Sequence, residues 1–145
     1  MTHEMKLQDA PFRLFSQGKK RVEVRLQDEK RQRIGVGDAV LFRREGGEET
    51  LLRYVVRLHA YPTFAALFAA LPSEAFGCEE GKRPTAEDMY AYYSPDEEKK
   101  WGVLGIETCE EEDVRVHMTE SEAWDYTARK VFEKYDGAFR ALAKL

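Results

Sequence analysis

Cysteine is almost missing from this 145-residue chain, which holds only Cys78 and Cys109. The two lie far apart with no second ligand pair nearby, so neither a disulfide framework nor a zinc site is indicated, and two reduced thiols are expected. Histidine is scarce too: His59 and His117 read as strand residues without partners, and His3 is terminal. No Ser-His-Asp set, metal-ligand spacing or phosphate-cradling Gly-rich loop occurs, so neither a metal nor a cofactor is expected. No apolar run approaches the roughly 18–20 residues of a membrane span. Met1-Thr2-His3-Glu4 does not open a basic-then-apolar leader, and the expectation is a soluble, cytoplasmic protein with no membrane partner. Internal repeats and low-complexity linkers are absent as well.

What is present is an ordinary core with an ionic surface. Hydrophobic residues make up 43% and charged residues 34% of the chain, the latter against a norm of about 25%. A chain of this length buries roughly 68–70% of its unfolded surface, enough for one compact domain. The net charge of −4 is unevenly spread: residues 1–70 hold 13 Lys/Arg against 9 Asp/Glu, and residues 71–145 hold 10 against 18. The basic excess is densest from Lys19 to Arg33, and such a run is either a solvated strand and loop or a site for an anionic ligand. A pI near 5.5 disfavours a broad grip on duplex DNA, which depends on many phosphate contacts, so any nucleic-acid footprint is small.

Along the chain, His3–Leu7 alternates weakly as a first strand, and Asp9 reads as a helix cap with Pro11 in the first turn and Gly18 ending the helix. Arg21–Leu26 alternates strictly, which turns Val22, Val24 and Leu26 inward and sets Arg21, Glu23 and Arg25 on the other face. Gly35-Val36-Gly37-Asp38 is a turn into a strand at Ala39–Phe42, and Glu45–Glu48 is a hairpin leading to a long strand from Thr50 to His59. Thr63 caps a short apolar helix, and residues 72–84 form a surface loop. Thr85 and Ser94 each cap a further short helix, the second with Pro95 in first position. Gly102–Thr108 and Val114–His117 read as closing strands. A C-terminal helix follows Thr119, with Trp124, Ala128, Val131, Tyr135, Ala138 and Leu142 on one stripe, and Trp101 and Trp124 are expected to pack it onto the body. Strands cluster early and late with short helices between, so an α+β fold or small barrel is favoured over a doubly wound sheet.

The segment Gly18-Lys19-Lys20-Arg21-Val22-Glu23-Val24-Arg25, followed by the Val36-Gly37-Asp38 turn, resembles the ASCH family, whose signature is Gly-x-Lys-x-x-Glu-x-Arg. Gly18, Lys20, Glu23 and Arg25 stand in those positions, and the resemblance continues through Tyr61, Phe64, Met89–Ser94 and Gly102–Glu107, covering about residues 4–110. It implies a small PUA-like β-barrel with short peripheral helices, here with an ASCH/PUA-like domain over residues 1–118 and a C-terminal helical extension over 119–145 packed on the same domain. It also implies a cleft that takes single-stranded RNA or a modified nucleoside. Some family members are amidohydrolases that deacetylate N4-acetylcytidine with a lysine, a threonine and a glutamate, and a ribonuclease activity is ascribed to others. The lysine corresponds to Lys20 and the glutamate to Glu87, but Glu23 stands where the threonine belongs, and a carboxylate does not replace a hydroxyl nucleophile.

The residue chemistry gives two hypotheses. In the first, Lys19, Lys20, Glu23, Arg25, Tyr92 and Tyr93 line a binding cleft, where Glu23 accepts from a base amine, Arg25 meets a phosphate or clamps Glu23, and a tyrosine stacks on a base. In the second, Lys20, Glu23 and Glu87 are catalytic. The plainer reading of the same residues is an exposed ion-pair ladder and a first-turn acid favoured by the helix dipole. The acidic C-terminal helix is a candidate for self-association as a homo-oligomer.

Overall fold

The computed structural model describes residues 1–110, 119–121, 123, 124, 127 and 128. Five strands, β1 (Thr2–Leu7), β2 (Val22–Leu26), β3 (Ala39–Arg44), β4 (Thr50–Tyr61) and β5 (Val103–Cys109), form one sheet in the order β1-β3-β4-β5-β2. β1 runs parallel to β3, and the other neighbours are antiparallel. The strands at the two ends of that order come within one side chain of each other: Arg25 on β2 donates from Nη2 to the backbone carbonyl of Lys6 on β1 at 2.8 Å. The sheet is therefore curled into a half-barrel with an open seam between β1 and β2, an α+β arrangement of the expected kind.

The inner face of the sheet is filled, and the outer face is covered over β2 and β5. Inside the curl, Met5, Leu7, Val40, Phe42, Leu104 and Ile106 pack with Phe12 and Phe15 of helix α1 (Asp9–Ser16). On the other face, Val22, Val24, Leu26 and Val103 pack under Phe64 and Leu67 of α2 (Phe64–Ala70) and under Phe76. Gly105 lets α2 lie close, since a Cβ there would meet Leu67 Cδ1 at 3.0 Å. Glu23 pairs in register with Ile106, so its side chain lies on the inner face. Alternation on β2 hence separates two buried environments, and no exposed ladder forms.

The helices begin where the capping chemistry is. Thr63 accepts from the Ala66 N–H, and reciprocal capping boxes open α3 (Ala86–Met89) at Thr85/Asp88 and α4 (Pro95–Trp101) at Ser94/Glu97. The exception is α1: Gln8 is the residue before it, and Asp9 is its first residue, pairing with Arg13 at 3.1 Å. Inside α4, Glu98 is 6% exposed and accepts from the Phe64 N–H at 2.8 Å and from the Tyr90 hydroxyl at 2.9 Å. Glu98→Ala leaves both donors bare and should cost about 1–3 kcal/mol in urea unfolding; an unchanged unfolding midpoint would contradict this.

The expected strand at Val114–His117 and most of the C-terminal helix lie outside the described residues. Trp101 packs into the second core as expected, but Trp124 is 70% exposed. Ala128 on the same stripe is also exposed, whereas Ala123 and Thr127 are half-buried, so the covered side of this segment is one position out of phase with the expected stripe. Among the described residues, no helix is long and apolar enough to cross a membrane.

A candidate nucleic-acid cleft at the seam

The end of α1 places the first functional side chain. Gly18 takes φ 73°, the Lys19 N–H reaches back to the Leu14 carbonyl at 2.8 Å, and the Gly18 N–H reaches the Phe15 carbonyl at 3.1 Å. This left-handed ending reverses the chain and delivers Lys20 to the start of β2. The Lys20 stem then passes Gly77, where an added Cβ would sit 3.2 Å from Lys20 Cβ and 2.9 Å from Leu14 Cδ1.

Lys20, Glu23 and Arg25 converge, and their side chains are only 10%, 9% and 18% exposed. Glu23 Oε1 lies 3.6 Å from Lys20 Nζ and accepts from the Val24 N–H at 3.2 Å. Glu23 Oε2 accepts from Arg25 Nε at 3.2 Å and Nη2 at 2.9 Å. Lys20 also donates to the Phe76 carbonyl at 3.4 Å and stands 5.6 Å from the Phe15 ring centroid. The three charges form one partly desolvated cluster with a net positive sign. Such a cluster holds its geometry better than solvated surface pairs do.

The cluster forms one side of a cleft of about 490 Å³ in the seam. An apolar wall of Phe68, Phe76, Met89 and Tyr93 stands beside it, and Lys6 and Gln8 come from the β1 side. Tyr93 stacks on Phe64 with centroids 5.8 Å apart and planes 22° from parallel, which fixes the ring. At the mouth, Tyr92 is 61% exposed, and its hydroxyl donates to Gln8 Oε1 at 3.3 Å, bridging the two walls.

Burial holds the Tyr93 phenol above the ordinary tyrosine value; Arg25 opposes the shift and Glu23 reinforces it. The Tyr90 phenol is raised chiefly by its hydrogen bond to Glu98. A raised phenol keeps its proton longer in the folded state, so its contribution to stability is whole below about pH 10 and declines as pH rises further. In a tyrosinate absorbance titration, the transition lost in Tyr93→Phe should lie above pH 10, roughly the ordinary value; a lost transition at or below it would contradict the buried placement.

Other expected site residues go elsewhere. Lys19 lines a second hollow, also of about 490 Å³, with Arg21 and Glu74. There Arg21 contacts both Glu74 carboxylate oxygens at 3.0 Å and shares no group with Arg25. The side chains of that ion pair are 40% and 68% exposed, so water screens it, and the seam cleft is the stronger candidate. Glu87 is an exposed first-turn residue of α3 outside the cleft lining. His59, expected to stand alone, pairs with Glu107 at 2.9 Å because the register shift between Val55 and Arg57 aligns the two strands there. His3 pairs with Asp38 at 2.9 Å, and Asp38 also accepts from the Gly35 N–H, closing the Val36-Gly37-Asp38 turn. Among the described residues, Cys78 and Cys109 form no disulfide and no His/Cys/Asp/Glu group is arranged to hold a metal ion.

A curled five-strand sheet with short helices and a charged cleft at its seam defines a small α+β protein of PUA-like architecture. The chain belongs to the ASCH domain family, whose model matches residues 5–135. Hypothetical protein PH0355, known from a crystal structure, is 33% identical with a TM-score of 0.63, over 74% of this chain and 97% of that one. The solution structure of protein PF0455 from Pyrococcus furiosus is also 33% identical, with a TM-score of 0.56 over 74% of this chain and 96% of that one. No curated protein matches the chain. Family membership supports RNA binding as a coarse function.

Proposed function

We propose that the seam cleft binds single-stranded RNA, or a nucleoside, by taking one base between the Lys20–Glu23–Arg25 cluster and the aromatic wall. The observation that carries this reading is the convergence of buried Glu23 with half-buried Lys20 and Arg25 beside Phe76 and Tyr93 in one cleft. A base offers a flat apolar face and a polar edge, and the cleft offers an aromatic wall and a charged side to match. Stacking contributes roughly 1–3 kcal/mol per base, and the net positive cluster suits the adjoining phosphate. The footprint is small, as an acidic chain requires.

Fluorescence anisotropy with short single-stranded RNA tests this. Binding should weaken as salt rises and should fall about tenfold or more in Arg25→Ala. Tyr92→Ala removes a mostly exposed ring at the mouth without touching the core, and it should also weaken binding. Affinity unchanged in both variants, or no binding at low salt, would overturn the reading.

Deacylation of N4-acetylcytidine is the second reading, favoured by a half-buried lysine amine in the same cleft. Glu87 outside the lining and a carboxylate at position 23 weigh against it. Acetate release that Lys20→Ala abolishes would establish it.

A further inference from the structure

We infer that the seam cleft selects a base by the group farthest from its sugar, and that it favours an oxo group there, as in uracil, over an amino group, as in cytosine. This rests on the reading that the cleft takes a base of single-stranded RNA.

Hydrogen-bond capacity in the cluster is unevenly spent. A carboxylate offers about four acceptor sites. Four donors already face the Glu23 oxygens: the Val24 N–H at 3.2 Å, Arg25 Nε at 3.2 Å, Arg25 Nη2 at 2.9 Å and Lys20 Nζ at 3.6 Å. Three of those sites are filled by hydrogen bonds and the fourth faces Lys20 at ion-pair distance, so a base amine reaching the carboxylate would have to displace Lys20. The cations are not used up. Lys20 has three N–H donors and two long contacts, to the Phe76 carbonyl at 3.4 Å and to Glu23 at 3.6 Å. Arg25 Nη1 makes no hydrogen bond among the described residues. What the cluster offers an incoming ligand is donors.

Depth in the cleft decides which atom meets them. The cluster side chains are 18% exposed or less, whereas Tyr92 at the mouth is 61% exposed, so the cluster is the floor and Tyr92 the rim. A pyrimidine held on a strand outside enters with position 4 leading, because the ribose is attached at the opposite end of the ring. Uracil brings O4 to the floor, an acceptor facing donors. Cytosine brings its 4-amino group, so donor faces donor and both remain unpaired in a partly desolvated site. Such mismatches give large discrimination, since buried polar groups left without partners are costly.

Paired titrations of the intact protein with short oligouridine and oligocytidine of equal length test this. Oligouridine should bind roughly tenfold tighter or more. Lys20→Met, which keeps the length of the stem and removes the ammonium, should bring the two affinities towards parity. A lysine acting only as a charge would weaken both equally and leave the ratio intact. Equal binding by the wild-type protein, or tighter oligocytidine, would overturn the inference while leaving base binding in place. Failure of both oligomers to bind would overturn the underlying reading as well. The wild-type ratio decides the matter even where the variant fails to fold.

Discussion

Phe64→Ala should cost about 3–5 kcal/mol of unfolding free energy, the range for a buried phenylalanine truncated to alanine. Phe64 is fully buried at the first position of α2 and lies between two systems. Below it is the second core with Val22, Val24 and Leu67; beside it are Tyr93 at 5.8 Å and the edge of Tyr90 at 6.2 Å. Its removal leaves a cavity and unseats Tyr93, so the cleft wall should lose its order together with the core. Denaturant unfolding measures the first effect, and the Tyr93 phenol returning towards its ordinary titration range reports the second. A loss under about 1 kcal/mol would mean that the site collapses without cost and that Phe64 does not support the wall.

Arg25→Ala should destabilise the fold by about 3 kcal/mol, well beyond the effect of a surface arginine. The arginine closes two gaps at once: it holds Glu23 at 2.9 Å and covers the Lys6 carbonyl at 2.8 Å across the seam. Without it, Lys20 at 3.6 Å is the one charge partner left to Glu23 among the described residues, and the seam loses the bond to the Lys6 carbonyl. Arg25→Lys should recover part of the charge term but not both contacts, because an ammonium lacks the planar fork. The measurement is urea unfolding of the two variants beside wild type. Near-equality of all three would show the cluster to be solvated and the seam to be held by other means.

Much of this architecture is legible in the sequence because the signals are local. The Val22-Glu23-Val24-Arg25-Leu26 alternation, the Gly18 helix ending, the Thr63 cap and the paired Thr85/Asp88 and Ser94/Glu97 caps each act over a few residues, and each appears in the fold. The spacing of Glu23 and Arg25 likewise foretells their meeting, whereas Lys20 joins them from the entry to the strand. What alternation does not contain is the curl of the sheet. A period of two assigns Glu23 to the face opposite Val22 without saying that this face is also enclosed. Lys6, Gln8 and Phe76 reach the cleft only because β1 and β2, separated by three strands in the sheet, meet at the seam. Lys19 and Arg21 both turn to the other hollow, because the chain is still bending out of the helix end before β2 begins at Val22 and the alternation that would keep Arg21 with Glu23 and Arg25 has not started. The His59–Glu107 pair depends on a bulge in β4 that no local motif announces.

The most direct test of the account is amide and side-chain chemical-shift mapping during titration with a short single-stranded RNA. The expected result is a contiguous set of shifts at Lys20, Glu23, Arg25, Phe76 and Tyr93, with Arg21 and Glu74 unmoved. Shifts centred on the Lys19–Arg21–Glu74 hollow, or scattered over the outer strand surface with the seam silent, would contradict it.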